Sequence, residues 1–183
     1  MTRILILSDT HLPREISSLK GLDGEKADVE NFLDRLADYF GRADLILHAG
    51  DHTEDSFYEA LRQKGNLKAV HGNMDAPELK EALPEYALIP CEGVRIGLMH
   101  GWGAPWDLPE RVFHAWPEPK PDVLVFGHTH EAYHRRRGDI LLLNPGSATN
   151  PRGGRHTIGW LEINGTDYSA SIISLSSPPH PAR

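Results

Sequence analysis

The chain has 183 residues, of which 39% are hydrophobic and 25% charged, and its formal net charge is -7. The length suits one domain, the acidic balance argues against stable nucleic-acid binding, and no apolar run approaches the roughly 20 residues that span a bilayer. A single cysteine, Cys91, rules out an internal disulfide framework. With an N-terminal apolar run too short for a signal peptide, this predicts a cytoplasmic protein without membrane partners.

The first third of the chain alternates apolar strands with helical patterns. The run "RILIL" predicts a buried strand, "GLDGEK" indicates a surface loop, and "DVENFLDRLADYF" has apolar residues at helical spacing. A strand in "ADLILHAGD", a helix in "EDSFYEALRQKG" and a strand in "NLKAVHGN" follow. This alternation predicts a layered α/β domain.

Short strand candidates dominate the second half, interrupted by one helix around "WDLPERVFHAW". They are "YALIP", "VRIGLMH", "VLVFGH", "EAYHRRR", "DILLLNPGS", "HTIGWLEI" and "YSASIISL". Hairpin turns at "RGD" and "NGT" favour a mostly antiparallel sheet. We therefore predict two sheets with helices outside, in a single domain over residues 1–175, followed by a flexible tail over residues 176–183.

Five of the apolar strands are followed directly by side chains that can bind a metal ion. In chain order these side chains are Asp9, His11, Asp51, Asn73, His100, His128 and His130. Because α/β sheets place their sites at the carboxyl ends of strands, we expect the seven to lie together. No other feature of the sequence points as directly to a function.

The chemistry of these side chains predicts the ion and the reaction. Carboxylate, amide and imidazole ligands without thiolates suit Mn²⁺, Fe²⁺, Ni²⁺ or Zn²⁺ rather than a structural zinc cluster. Seven ligands are too many for one ion that must leave room for a substrate, whereas two ions about 3.5–4 Å apart that share a carboxylate use them all. We therefore predict phosphate-ester hydrolysis with two divalent metal ions, manganese being the first choice.

The ordered motifs "DTH", "GD", "GN", "H" and "GHTH", from Asp9 to His130, resemble the signature of calcineurin-like metallophosphoesterases. The motifs "GNMD" and "NPGSATNPR" also resemble the YfcE-type branch of small prokaryotic phosphodiesterases. The resemblance implies an α/β fold, a four-layer αββα sandwich in which two mixed β-sheets pack face to face with helices outside. It also implies a small phosphodiester substrate and leaves a homo-oligomer open.

The resemblance divides the seven side chains between two ions that share one carboxylate. The first ion would bind Asp9, His11, Asp51 and His130. The second would bind Asp51, Asn73, His100 and His128. A bridging hydroxide would attack phosphorus in line with the leaving alcohol, so Asp51, Asn73 and His100 are expected to act in catalysis. Gly127 is expected to let the backbone turn between the two ions without a side chain in the way.

The proton donor for the leaving group is the point at which the chain departs from the resemblance. In many relatives a histidine thought to protonate the leaving group follows the "GN" asparagine, but here that residue is Met74, which has no proton to give. Asp75 is our candidate catalytic acid, and His71, His52 or a metal-bound water are the alternatives. Without the histidine, we expect activated or aryl phosphodiesters to be better substrates than alkyl monoesters.

Several alternatives stay open. The protein could be a phosphomonoesterase or nucleotidase, or a non-catalytic scaffold, because the vacuolar sorting subunit of retromer resembles this family yet is thought to act as an interaction platform. Trp102 and Trp106 could stack on a base or aryl group, or pack in the core. The segment "NPGSATNPR" could place Asn144, Gly146 or Arg152 near the site, or be only a turn. His48 is expected to support the site rather than bind metal.

Overall fold

The computed structural model describes residues 1–12, 22–152 and 154–175, with the backbone alone for residues 22–27. The predicted tail, residues 176–183, lies outside the described residues. Ten strands occur in the described part: β1 (Thr2–Leu7), β2 (Leu45–His48), β3 (Leu67–Ala69), β4 (Tyr86–Cys91), β5 (Val94–Met99), β6 (Val123–Val125), β7 (Ala132–Arg137), β8 (Ile140–Pro145), β9 (Thr157–Asn164) and β10 (Asp167–Ser174). The helices described are α1 (Leu22–Arg35), α2 (Ala37–Arg42), α3 (Asp55–Arg62), α4 (Pro77–Ala82) and α5 (Leu108–Ala115).

The strands form two mixed sheets of five strands each. The first sheet has the order β10-β9-β1-β2-β3, in which β1, β2 and β3 are parallel and the hairpin β9–β10 pairs antiparallel with β1. The second has the order β4-β5-β6-β8-β7, in which β5, β6 and β8 are parallel and the two edge strands are antiparallel.

The expectation of a mostly antiparallel sheet in the second half is therefore only half right, since two of the four strand pairings in the second sheet are antiparallel and two are parallel. The predicted turns do form hairpins between β7 and β8 and between β9 and β10, but hairpins report only neighbouring pairs. Strands β5, β6 and β8 are almost continuously apolar, a pattern typical of parallel strands covered on both faces. The passage from β5 to β6 runs through α5, and such a helical crossover makes the two strands parallel.

The strands bury alternate side chains in different layers. In β1, Ile4 and Ile6 belong to the core between the two sheets, whereas Leu5 and Leu7 pack in a second core with residues of α1, α2 and α3. A third core joins the second sheet to α5 through Val112 and neighbours. Helices thus cover the outer face of each sheet, and the four-layer sandwich implied by the resemblance is confirmed.

The helices differ from the sequence prediction at two places. Helix α1 begins at Leu22, so the expectation of a loop in "GLDGEK" is wrong for residues 22–26. Acidic residues favour the first turns of a helix, and one interior glycine costs only about 1 kcal/mol relative to alanine. Helix α4, which begins with Pro77, was not predicted because six residues are too few to show a helical period. None of the described helices is long and apolar enough to cross a membrane.

Candidate metal centre

The seven predicted ligand side chains all lie at one edge of the sandwich, because β1, β2, β3, β5 and β6 end there. Asp9, His11, Asp51 and His130 form one group, in which one ligand atom of each lies within 4.8 Å of the others. The Nε2 atoms of His11 and His130 are 3.1 Å apart, and each lies 3.5 Å from a carboxylate oxygen, of Asp51 and Asp9 respectively.

Asn73, His100 and His128 form a second group beside the first. The Oδ1 atom of Asn73 lies 3.2 Å from His100 Nε2 and 3.0 Å from His128 Nδ1. Asp51 connects the two groups, since its Oδ2 atom lies 3.5 Å from His11 Nε2 and 3.3 Å from His100 Nε2. The arrangement is therefore two sets of donor atoms that share one carboxylate.

Most of these residues hold an unusual backbone conformation. Positive φ angles occur at Asp9 (52°), His11 (47°), Asp51 (59°), His128 (73°) and His130 (60°). Residues other than glycine rarely adopt this left-handed region, and each such residue costs of order 1 kcal/mol or more unless its surroundings hold it. Such strain is concentrated at functional sites, where loops must aim several side chains at one point.

Two glycines make room for the cluster. A Cβ atom on Gly72 would collide with the carboxylate and backbone nitrogen of Asp51, and one on Gly127 would collide with Ser8 Oγ and the Asp9 carboxylate. Gly127 itself is not among the positive-φ residues, and the unusual turn falls on His128. The glycine of "GHTH" is thus required for the close approach of the Asp9 loop rather than for the turn.

Hydrogen bonds to backbone carbonyl oxygens orient three of the imidazole rings. His100 donates from Nδ1 to Ala49 O (2.7 Å), and His130 donates from Nδ1 to Asn150 O (2.6 Å). His128 is reversed and donates from Nε2 to Gly103 O (2.7 Å). Because one nitrogen of each ring donates to a carbonyl oxygen, the other nitrogen faces the cluster, where it can bind a metal ion once it carries no proton.

The two carboxylates are buried and held by donors. Asp9 accepts hydrogen bonds from Ser8 Oγ (2.7 Å) and the His128 backbone nitrogen (3.0 Å), while Asp51 Oδ1 accepts from the Met74 nitrogen (2.8 Å). Burial raises the pKa of Asp9 to about 7. Burial also acts to raise the pKa of Asp51, but a hydrogen bond and charge from His100 outweigh it and lower that pKa. Two acidic groups so close in a buried cluster favour the uptake of positive charge.

The histidines respond to the same surroundings. Burial lowers the pKa of His11 and of His130, and the positive charge of Arg152 lowers both further. For His100, burial alone would lower the pKa, but its hydrogen bond to Asp51 and the charges of Asp9 and Asp51 raise it to about 9. Arg152 is exposed, and its backbone nitrogen donates to His130 O (3.3 Å), so its charge stands beside the first group.

Asp75 faces away from the open side of the cluster. Its buried carboxylate accepts hydrogen bonds from the backbone nitrogens of Asp51 (3.1 Å), Thr53 (2.7 Å) and Gly72 (2.7 Å), and it contacts His52 Nδ1 (3.3 Å). Although burial acts to raise it, the His52 ring and these amides hold the pKa of Asp75 well below its usual range. An ionised, enclosed carboxylate does not fit the predicted role of general acid, and Asp75 instead joins the Asp51 loop to the Asn73 loop.

His52, His48 and His71 lie at different positions relative to the open side of the cluster. His52 is fully buried and stacks on His48, with ring centroids 3.7 Å apart, so it does not reach the open side either. The Nε2 atom of His48 lies 3.1 Å from the hydroxyl of Thr10, the residue between Asp9 and His11. This contact is compatible with the predicted supporting role of His48. His71 lines an open pocket that adjoins Asn73 and His100.

The segment "NPGSATN" supports the first group, a role the sequence left undecided. Asn144 donates from Nδ2 to Gly127 O (2.8 Å), Ser147 donates from Oγ to Asp9 O (2.7 Å), and Thr149 donates to Thr10 O (2.5 Å). No local pattern in the sequence points to Ser147 or Thr149 as supporting residues. The only signal was that this segment follows β8, a parallel strand ending at the same edge as β6.

Two mixed sheets packed face to face, with carboxylate, amide and imidazole groups at their common edge, are the features of a metallophosphoesterase. Residues 2–166 match the calcineurin-like phosphoesterase superfamily domain, and the chain belongs to that superfamily. The family assignment made from the motifs is therefore confirmed.

Relatives and solved structures agree with this assignment. A probable metallophosphoesterase of Methanothermobacter thermautotrophicus is 34% identical over 173 residues, which cover 94% of this chain and 92% of the relative. A phosphodiesterase of Methanocaldococcus jannaschii is 24% identical over 184 residues, covering 93% of this chain and 99% of the relative. The crystal structure of Vps29 from Entamoeba histolytica complexed with Zn²⁺ matches with a TM-score of 0.69 and 26% identity, covering 95% of this chain and 99% of that chain.

Proposed function

We propose that the protein is a phosphodiesterase with a site for two divalent metal ions. The observation that carries this proposal is the sharing of Asp51 between two groups of donor atoms, with separations of 3.5 Å to His11 and 3.3 Å to His100. A single-ion site has no need of a carboxylate between two separate imidazole sets. Membership of the superfamily and the likeness to a named phosphodiesterase support the same reaction.

The donor set fits divalent ions, because it offers oxygen and imidazole nitrogen atoms, and hydrogen bonds to carbonyl oxygens turn one nitrogen of three rings toward the cluster. The first ion would be held by Asp9, His11, Asp51 and His130. The second would be held by Asp51, Asn73, His100 and His128. When bound, the ions supply positive charge for the phosphoryl oxygens and an acidified water as nucleophile, with manganese as our first choice and nickel, iron or zinc as alternatives.

The chain's own residues hold this arrangement in place before a substrate arrives. Asp51 is fixed on one side by the Met74 nitrogen and Asp75, while Asp9 is fixed by Ser8 and the His128 nitrogen. We assign Asp75 to positioning, because its carboxylate accepts hydrogen bonds from backbone amides of both the Asp51 loop and the Asn73 loop. Arg152 adds a positive charge beside His11 and His130 that would attract an anionic substrate.

The leaving group sets the preference for the kind of ester. Met74, at the position after Asn73, is 54% exposed and cannot protonate a leaving alcohol, while Asp75 and His52 are enclosed. An ester whose leaving group is stable as an anion needs no proton, so aryl and other activated diesters should react fastest. A phosphomonoesterase is the alternative, since Arg152 would attract a dianion more strongly than a monoanion.

A scaffold function is the second candidate, because Vps29 of Entamoeba histolytica shares this fold. In that case partner binding would not depend on the metal ligands. Removal of Asp51 therefore distinguishes the two: it should abolish turnover if the protein is an enzyme, and it should leave partner binding unchanged if the protein is a scaffold.

The test is the hydrolysis of bis(p-nitrophenyl) phosphate and of p-nitrophenyl phosphate by metal-stripped protein refilled with Mn²⁺, Ni²⁺, Zn²⁺ or Mg²⁺. We expect metal-dependent turnover with the diester as the better substrate. Asp51→Ala should lower it by at least about 10³-fold, since it removes several kcal/mol of transition-state stabilisation at both ions. The matched control is Asp122→Ala, because Asp122 precedes β6 at the end remote from His128. Among the described residues, its carboxylate forms hydrogen bonds with Arg95 alone.

The control variant should keep its turnover. Metal-dependent hydrolysis of the monoester in preference to the diester would replace the phosphodiesterase proposal with the phosphatase alternative. No turnover with any metal, in protein that binds two ions per chain by metal analysis, would contradict the enzymatic proposal and favour the scaffold.

A further inference from the structure

An open pocket of about 180 Å³ adjoins the second group of the candidate metal centre. The residues of its lining that bear on its chemistry are His71, Asn73, Lys80, Glu85, His100 and Trp102. Asn73 and His100 belong both to this lining and to the proposed metal site, so a group bound in the pocket would be one arm of a phosphoester bound at the ions. The pocket is too small for a whole substrate, since clefts that enclose drug-sized ligands measure roughly 300–1,000 Å³.

Trp102 gives this pocket an exposed aromatic side chain. Trp116 and Trp160 are buried and each packs edge-on with a tyrosine, whereas Trp102 is 43% exposed and no aromatic ring packs against it among the described residues. The packing interpretation of Trp102 is thus wrong. Trp106 is 72% exposed, but it is absent from the pocket lining.

The loop that carries Trp102 is held from two sides. Arg111 in α5 donates from Nε to Trp102 O (3.0 Å) and also bonds Ala104 O, while His128 donates to Gly103 O (2.7 Å). The backbone of this loop is therefore attached directly to a proposed metal ligand, His128. A large exposed indole on a loop held in this way is unfavourable in water, and its use as a binding surface accounts for it.

The polar residues that line the pocket together with Trp102 narrow the class of ligand. Lys80 offers donors, with one already used on Asn73 O (2.8 Å), while Glu85 offers an acceptor and His71 a ring with both kinds of nitrogen. A plain aryl or alkyl group cannot use such partners. A nucleobase can, because it combines a flat face for stacking with an edge of donors and acceptors.

We infer that this pocket binds the nucleoside arm of the phosphodiester substrate, with the base against Trp102 and its edge toward Lys80 and Glu85. The inference rests on the proposed function, because it places the phosphate at the metal ions. It names the substrate class as nucleotide esters rather than simple aryl or sugar phosphates.

The test compares AMP with ribose 5-phosphate, which carries the same phosphate and sugar but lacks the base. Both would be titrated as inhibitors of bis(p-nitrophenyl) phosphate hydrolysis by Mn²⁺-loaded protein, and in parallel by tryptophan fluorescence without any diester. We expect AMP to bind about tenfold more tightly, since stacking of a base on an aromatic side chain contributes about 1–3 kcal/mol and 1.4 kcal/mol is tenfold.

Trp102→Ala should remove this difference, and Trp106→Ala is the matched control that should keep it. Trp102→Phe, which retains a ring, should keep part of the difference and guards against a loss caused by a changed loop. Equal binding of AMP and ribose 5-phosphate by the wild type, or equal effects of Trp102→Ala and Trp106→Ala, would overturn the inference.

The fluorescence measurement separates this inference from the proposed function. Diester hydrolysis with no preference for AMP overturns the nucleoside pocket alone. Tight AMP binding that depends on Trp102, in protein that hydrolyses no diester, overturns the proposed reaction and leaves the pocket as a nucleotide site.

Discussion

The two halves of the candidate metal centre differ in how the chain encloses them. In the first half, Asp9 and His130 are 0% and 7% exposed, and the segment after β8 covers them through Ser147 and Asn150. In the second half, Asn73 is exposed and His128 is only half-buried. That half opens onto the pocket that contains Trp102.

The difference separates two tasks that one site must perform. The enclosed half is held by hydrogen bonds from Ser8, Ser147 and the His128 nitrogen to Asp9, and this suits the retention of an ion. The open half leaves Asn73 accessible from the pocket, and His128 is only half-buried beside it, which suits the entry of a substrate arm. Changes in the enclosed half should therefore affect metal affinity and stability, and changes in the open half should affect substrate binding.

Asp75 belongs to neither half, because it joins the loops that carry Asp51 and Asn73, and its loss should give the largest effect. We expect Asp75→Asn to lower metal affinity by about 10–100-fold, as found for partners of metal ligands, and stability by about 1–3 kcal/mol. The asparagine places an amide group against three backbone N–H donors that now share one carboxylate. Metal titration and denaturant unfolding of the metal-free protein would measure both quantities.

The matched control for Asp75 is Asp122→Asn, which also removes a carboxylate that accepts from a backbone nitrogen, that of Arg95. It should leave metal affinity unchanged, because Asp122 lies at the remote end of β6. Unchanged metal affinity in Asp75→Asn, with only the turnover lost, would instead return Asp75 to the role of proton donor.

The part of the site that the sequence predicts consists of residues marked by a local sequence pattern. The seven candidate ligands follow apolar strands, and such runs are visible in one sequence, so their meeting at one sheet edge could be predicted. The parallel order of β5, β6 and β8 was missed, because hairpin turns mark only neighbouring strands. The almost continuously apolar sequences of these strands are the feature that indicates parallel pairing.

The supporting residues could not be predicted for a different reason. Ser147 reaches the backbone of Asp9 across 138 positions of sequence, and such contacts leave no local pattern. Asp75 stands just after the "GN" motif, and this position predicts a catalytic acid. Its carboxylate proved to be enclosed by backbone amides, a fact that depends on the path of two loops and not on residue type.

Ser147 tests the enclosed half alone. Its hydroxyl donates to Asp9 O (2.7 Å) and accepts from the Asn150 nitrogen (2.8 Å), so Ser147→Ala leaves buried polar groups without a partner. We expect a loss of stability of about 1–3 kcal/mol and a fall in metal affinity of about tenfold, measured by unfolding and metal titration. Once saturated with metal, the variant should have a nearly normal KM, because the pocket is untouched.

The control here is Ser169→Ala, on the exposed surface of β10, which should change none of these quantities. A raised KM in metal-saturated Ser147→Ala would show that the two halves are not separable. Metal affinity equal to that of the wild type would show that the segment after β8 supports the fold but not the ion.

Arg111 tests the open half, where the expected effect is smallest. Its guanidinium donates hydrogen bonds to Trp102 O and Ala104 O. The carbonyl of Gly103, between these two residues, accepts a hydrogen bond from the ring of His128. Arg111→Ala should raise KM for diesters a few-fold, since the pocket wall becomes less fixed, with kcat changed little. Stability should change by only about 0.5 kcal/mol, because the contacts that are lost lie on a surface loop.

Steady-state kinetics at saturating metal would separate the two parameters, and Arg95→Ala provides the matched loss of a surface arginine remote from the site. If kcat and metal affinity fell together while KM stayed constant, the loop would act on the ion through His128 and not on the substrate. The open half would then be a second ion-retaining region, and access for the substrate would have to be sought on the side of Arg152.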